Sequence, residues 1–343
     1  MGQILRLVLP AMVGLGVAAL AGAHDLDGSQ VYLLATSVLL AVGLYGSTFH
    51  IDLVEARRER RTIGLAVTVG VLCKAAIIGG ILALAWREPL FLVLGVAVAQ
   101  IDPLAVASMM DHPTMTRRAK SILAAWSSFD DPVTVIVSVY AAALVVGLTR
   151  TDGAALPGGA GPWSYLGDLT ANLAFAAAAY LAWRLLRRWP AAVHALLAVL
   201  FAVAVWQFTM LGIAIVGLFI RPPIGRQLTW AVHGALVAAS FLLGLLLLDG
   251  VQVGAGLALG VAAFGAQIVV SLALTRHLPR TDRVYLALAQ QNGITAIILA
   301  LVLEAEFDGV IAVVAPAILV INLIHWAANA VVDRRTKAAG LTG

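Results

Sequence analysis

Asp130 and Asp131 stand side by side near the middle of an otherwise apolar stretch covering residues 121–148. Holding one charged side chain at bilayer depth costs roughly 2.5–3.5 kcal/mol even on the lenient insertion scale, so an adjacent pair needs a physical reason to be there. The usual reason is ion or proton handling. Loss of water and a like charge next door both make a carboxylate hold its proton more tightly, which brings proton uptake and release toward neutral pH. The pair is therefore a candidate switchable site for a proton or a small cation. Asp102 is the remaining acid away from the ends of an apolar segment. It precedes Pro103 in the string VAVAQIDPLAVASMM. A proline removes one helical hydrogen bond and disfavours helical geometry in the residue before it, so a break is expected over residues 100–103. Carbonyls freed by such a break face a polar interior in transporters and can coordinate a cation there. A plain proline kink with a capping aspartate is the simpler reading of the same residues.

The elements that hold these acids follow from composition. Of 343 residues, 62% are hydrophobic and only 12% charged, and the mean hydropathy of +0.98 describes a chain whose solvent is mostly lipid. Runs of Ala, Leu, Val and Gly lack the alternation of barrel strands, which leaves helices as the spanning elements. About twelve segments are expected, at 3–23, 30–49, 62–86, 89–110, 118–149, 166–187, 191–207, 209–220, 228–248, 251–275, 284–304 and 309–332. The thirty residues at 191–220 read either as two short helices or as one tilted one. Loop charge favours two: twelve spans collect every Lys and Arg except Lys74, Arg87 and Arg150 on one side. Asp25, Asp27, Glu304, Glu306 and Asp308 then fall on the other side, so both termini are expected in the cytoplasm of a multi-pass inner-membrane protein. The net charge of +4 is spread over those loops and needs no nucleic-acid partner. Residues 3–23 share features of a signal peptide, but a retained first helix fits the topology better. A Gly/Pro-rich stretch makes roughly 150–165 an external linker, and the lone Cys73 excludes an intrachain disulfide.

The strings VGLYGSTFHIDLVEARRERR, AQIDPLAVASMM and SSFDDPVTV, in that order and spacing, resemble the monovalent cation/proton antiporter superfamily. The segment TMLGIAIVGLFIRPP resembles that family's short glycine-containing helix ahead of a basic loop. The resemblance implies one transmembrane transporter domain over 1–343, with crossed broken helices and inverted repeats near 62–149 and 251–332. On this pattern Asp102 takes the break position, Asp130 the variable first acid, and Asp131 the ion-carrying carboxylate. Repeat symmetry sets a second break near Gln290, Gln291, Asn292 and Gly293, residues that otherwise read as a helix-packing surface. The implied function is exchange of a monovalent cation, sodium foremost and lithium or potassium as alternatives, for protons by alternating access. Two adjacent acids suggest electrogenic exchange. No cofactor is implied, no enzyme activity either, and a homodimer is compatible with the pattern.

Hard monovalent ions prefer oxygen ligands. Besides Asp131, Asp130 and Asp102, the candidates are Ser127 and Ser128, four and three residues before Asp131 on its helical face, together with Thr134 and the carbonyls around Gln100. A membrane serine more commonly bonds a backbone carbonyl of its own helix. Three departures from the family matter. Gln267 stands where relatives place a base facing the acidic pair, and Asn292 where many place a second one; both join the polar candidates. Trp126 replaces a glutamate often seen ahead of the pair. Lys74, central in the symmetry-related third segment, is expected to supply the missing base by reaching Asp130; snorkelling toward an interface is the alternative. A sodium-coupled organic-anion symporter of related fold remains a rival. An intramembrane aspartyl protease using Asp102 and Asp131 is another, although no Gly-x-Gly-Asp string surrounds either residue.

Overall fold

The computed structural model describes residues 2–21, 29–51, 53–103, 106, 109–110, 112–149 and 162–338. Its regular structure among these residues is helical, with no strand. In chain order the elements are α1 (Gly2–Ala21), α2 (Gln30–Phe49), α3 (Leu53–Arg58), α4 (Arg60–Leu65), α5 (Val71–Trp86), α6 (Leu90–Ala97) and α7 (Arg117–Thr149). They continue with α8 (Pro162–Leu186), α9 (Pro190–Trp206), α10 (Met210–Val216), α11 (Gly225–Leu245), α12 (Val253–Leu274), α13 (Arg280–Ala287), α14 (Ile294–Glu304) and α15 (Val310–Ala338). A single π turn, Ala66–Gly70, joins α4 to α5.

Among the described residues, eight helical stretches are long and apolar enough to cross a bilayer unaided. They correspond to α1, α2, the α4–α5 run, α7, α8, α11, α12 and α15. The other four expected segments are not single long helices. The stretch at 89–110 leaves the helical path after Ala97, and the one at 284–304 is divided into α13 and α14. Residues 191–220 form two helices, the second only seven residues long. Interruption follows from local chemistry: Pro103 cannot continue a helix hydrogen-bond ladder, and Gly293 ends a run of three amide side chains. Of the expected linker, residues 150–161 lie outside the described residues, as do Asp25 and Asp27, whereas 162–165 already belong to α8.

Burial is inverted relative to a protein dissolved in water. Leu20, Leu84 and Trp206 are 92%, 83% and 83% exposed on the outer surface, while Lys74, Asp130 and Gln290 are sealed at 0%. Lipid accepts the first group and rejects the second. Helix α12 lies along α15, α1 along α11, and α5 against α6. The α5–α6 approach matters most for the site, because it carries Lys74 toward the first break. Gly79 and Gly95 permit it: a β-carbon on Gly95 would run into the Gly79 backbone, so the two helices meet main chain to main chain.

Candidate functional site

Two unwound segments cross. The first follows α6 and runs through Val98 to Asp102; the second, residues 288–293, separates α13 from α14. The last carbonyls of a helix have no partner within it, and here amides from the other broken helix supply donors. Gln290 Nε2 lies 2.9 Å from the Val98 carbonyl oxygen and 2.8 Å from that of Gln100. Asn292 Nδ2 donates to Val98 as well, at 3.1 Å. In return the Asp102 N–H donates to the Gln291 carbonyl at 2.9 Å, and Asn322 of α15 holds the Asn292 carbonyl at 2.8 Å. The Asp102 carboxylate lies over Gly293, in the space a β-carbon there would fill, at the head of α14. Backbone N–H groups at a helix start favour an anion in that position. Each broken helix thus neutralises an end of the other.

Helix α7 presents the acidic pair to this crossing. At 3.6 residues per turn adjacent side chains leave a helix about 100° apart, so Asp130 and Asp131 cannot face the same partner. Asp130 Oδ2 takes the Lys74 ammonium at 3.1 Å and the Ile101 N–H at 3.0 Å, with both side chains of the ion pair fully buried. The Lys74 nitrogen lies 5.5 Å from the centre of the Trp126 ring, one turn before Asp130. Asp131 turns the other way. It lines a cavity of about 620 Å³ together with Asp102, Ser127 and Ser128, and neither of its carboxylate oxygens has a hydrogen-bond donor. Asp102, Thr295 and Asp130 stand around it. Farther along, the same cavity is lined by Arg6, His50, Ser121, Thr229 and His233, at the ends of α1, α2, α7 and α11. Those ends belong to the arginine-rich side of the molecule.

The candidate ligands therefore separate into groups. Asp131, Asp102, Ser127 and Ser128 share the cavity wall. Ser127 Oγ donates to the Ala124 carbonyl at 3.1 Å, as membrane serines commonly do, and keeps its lone pairs for a ligand. Gln100 and Asn292 belong to the crossing, and Gln100 spends its amide on the Ala97 carbonyl at 3.2 Å. Gln267 is turned to the Leu286 carbonyl at 3.1 Å and ties α12 to the end of α13. Thr134 is buried in α7 away from the cavity lining. Two contributors were not singled out from sequence. Pro132 lies inside α7 and brings no N–H, so the Ser128 carbonyl beside Asp131 lacks its helical donor; the DDP string is the signal. Asn322, a lone amide in an apolar run, is the other.

Two interrupted helices, crossing at their unwound segments beside a buried carboxylate at the foot of an open cavity, define a crossed broken-helix architecture, a feature that transporters use near the bilayer midplane. No family model and no curated protein matches this chain. Among solved structures, the sodium proton antiporter MjNhaP1 from Methanocaldococcus jannaschii, at pH 8, is similar with a TM-score of 0.64. The sequences are 16% identical, and the match covers 94% of this chain and 93% of that one. The chain shares the fold of that antiporter.

Proposed function

We propose that this chain exchanges a monovalent cation, sodium before lithium or potassium, for protons, and that Asp131 carries either one in turn. The observation that carries the reading is the contrast within the acidic pair. Asp130 is neutralised by Lys74 and bound to the first break, whereas Asp131 is unpaired and faces an open-ended cavity. A carboxylate with both oxygens free can take a proton or join Ser127, Ser128, Asp102 and the Ser128 carbonyl around a hard cation. It cannot do both, and that exclusion is the exchange. With the arginine-rich side taken as cytoplasmic, as the positive-inside tendency suggests, this state is open inward. Both termini then lie in the cytoplasm of a multi-pass inner-membrane protein.

The triplets at 62–149 and 251–332 are read as inverted repeats whose joint movement exposes Asp131 to each side alternately. On this reading Lys74 comes from the first triplet where Gln267 would be its counterpart in the second. The Lys74–Asp130 pair is the reserve for a second proton: a cation arriving at Asp131 favours release of the lysine proton, making exchange electrogenic. An unchanged pH profile of transport in Lys74→Ala would remove Lys74 from the mechanism, and rates indifferent to an imposed membrane potential would reject electrogenic exchange. The primary test is dye-monitored proton movement in proteoliposomes on adding each chloride salt. The intact chain should respond to at least one cation, and Asp131→Asn should not; full response in that variant would refute the assignment. Solute uptake that depends on sodium would instead favour the symporter.

A further inference from the structure

An amide nitrogen carries two hydrogens. Gln290 Nε2, however, has three oxygens at hydrogen-bond distance: the carbonyls of Val98 at 2.9 Å and Gln100 at 2.8 Å, and Asn292 Oδ1 at 2.9 Å. One of these contacts lacks a proton at any instant. The other end of the same amide, Gln290 Oε1, is buried with no donor, and so is Gln100 Oε1. Gln290 and Asn292 are 0% exposed and Gln100 1%. The Val98 and Gln100 carbonyls also lie just past the C-terminal end of α6, where the partial negative charge of a helix collects. The centre is sealed from the surface, rich in oxygen and short of donor hydrogens. That is the chemistry of a cation site in which a nitrogen occupies the position of the ion.

Turning the Gln290 amide over exchanges a donor for an acceptor of nearly the same shape. With the Gln290 amide turned over and drawn back from that point, the oxygens around it are Val98 O, Gln100 O, Asn292 Oδ1 and Gln290 Oε1; apart from the Asn292 Nδ2 hydrogen already on Val98 O no donor reaches them, and a cation is what would hold them together. We infer that the crossing of the two broken helices is a second cation site, separate from Asp131, whose ion is replaced in this state by the Gln290 amide nitrogen. The four ligands are neutral, which selects a monovalent ion; divalent ions of the hard type are held through carboxylates. That the ion is one this chain also exchanges rests on the function proposed above, whereas the existence of the site does not. An ion there would fasten the end of α6 to the head of α14 more firmly than the over-shared amide does.

The test is equilibrium binding of radioactive sodium and of rubidium to the purified full chain, with choline chloride holding ionic strength constant. Asp131→Asn removes the exchange site and should retain about half of the ion bound by the intact chain. Adding Gln290→Leu should abolish the remainder. Adding Gln290→Lys instead should abolish it too while keeping the crossing intact, because an ammonium brings three hydrogens to three oxygens; its melting temperature in choline chloride should equal or exceed that of Asp131→Asn. No bound ion in a folded Asp131→Asn chain, or undiminished binding after Gln290→Lys, overturns the site. Cation-triggered proton flux surviving in Asp131→Asn would defeat the exchange reading instead, and would leave the binding result at the crossing standing.

Discussion

Lys74 and Asp130 form an ion pair at 3.1 Å with no solvent exposure on either side chain, so their mutual dependence can be measured. Removing one member of such a pair leaves an uncompensated buried charge, a cost of about 3–5 kcal/mol, whereas removing both in favour of neutral groups of similar size is often close to neutral. Lys74→Met strands the Asp130 carboxylate, which keeps the Ile101 N–H as a donor with the Trp126 indole nearby. Asp130→Asn strands the ammonium but retains an oxygen for that N–H. We expect each single variant to lose about 3–5 kcal/mol at pH 7 and the double variant to lose less than either, the contact with Trp126 adding only ~0.5–1 kcal/mol to the variants without lysine. The assay is reversible unfolding in mixed micelles of rising dodecyl sulfate content, followed by far-ultraviolet circular dichroism. Lowering the pH should lessen the Lys74→Met penalty, because a proton can neutralise the stranded carboxylate. A double variant whose loss equals the sum of the two singles would refute a direct, desolvated pair.

Gly293→Ala places a β-carbon in the space held by the Asp102 carboxylate and must displace it; overpacking of this kind costs about 1–3 kcal/mol. Exchange should slow in proportion, and a variant with unaltered stability and rate would show that Asp102 is not fixed against α14. Pro132→Ala returns an N–H to α7 and should stabilise it by up to ~3 kcal/mol. Because that N–H takes the Ser128 carbonyl, the cation concentration for half-maximal exchange should rise; an unchanged value would remove that carbonyl from the ligand set.

The features most legible in the sequence are those that violate the composition around them. An Asp-Asp pair in 28 apolar-flanked residues, an Asp-Pro in another run, and a lysine at the centre of a third are each expensive in lipid, so their presence alone marks the site. The second break is placed at the Gln-Gln-Asn-Gly string by the expected repeat symmetry, with the polar residues there in support. Hydropathy alone does not show the two breaks, which the Asp-Pro string and the expected repeat symmetry indicate. Residues 89–110 and 284–304 are as apolar as true spans, because a break whose backbone is satisfied by a neighbouring helix needs no change in hydropathy. Likewise Thr134 is a candidate by residue type and Gln267 by its family position, and neither says anything about direction. Gln267 could bond an ion or the Leu286 carbonyl with equal chemical ease, and only the position of α13 makes the second available.

Hydropathy and charge along the chain determine by themselves that this is a helical membrane protein, which loops are basic, and where ionisable groups are held in lipid, because those are properties of segments one at a time. Which acid meets Lys74 and which meets the cavity is decided by the rotation of α7 against α5 and α6, a step of about 100° between neighbours that no local pattern records. The crossing is likewise a property of the assembled molecule. Carbonyls at 98–100 and amides at 290–292 are nearly two hundred residues apart in sequence, and each is an unsatisfied polar group in lipid until packing brings them together.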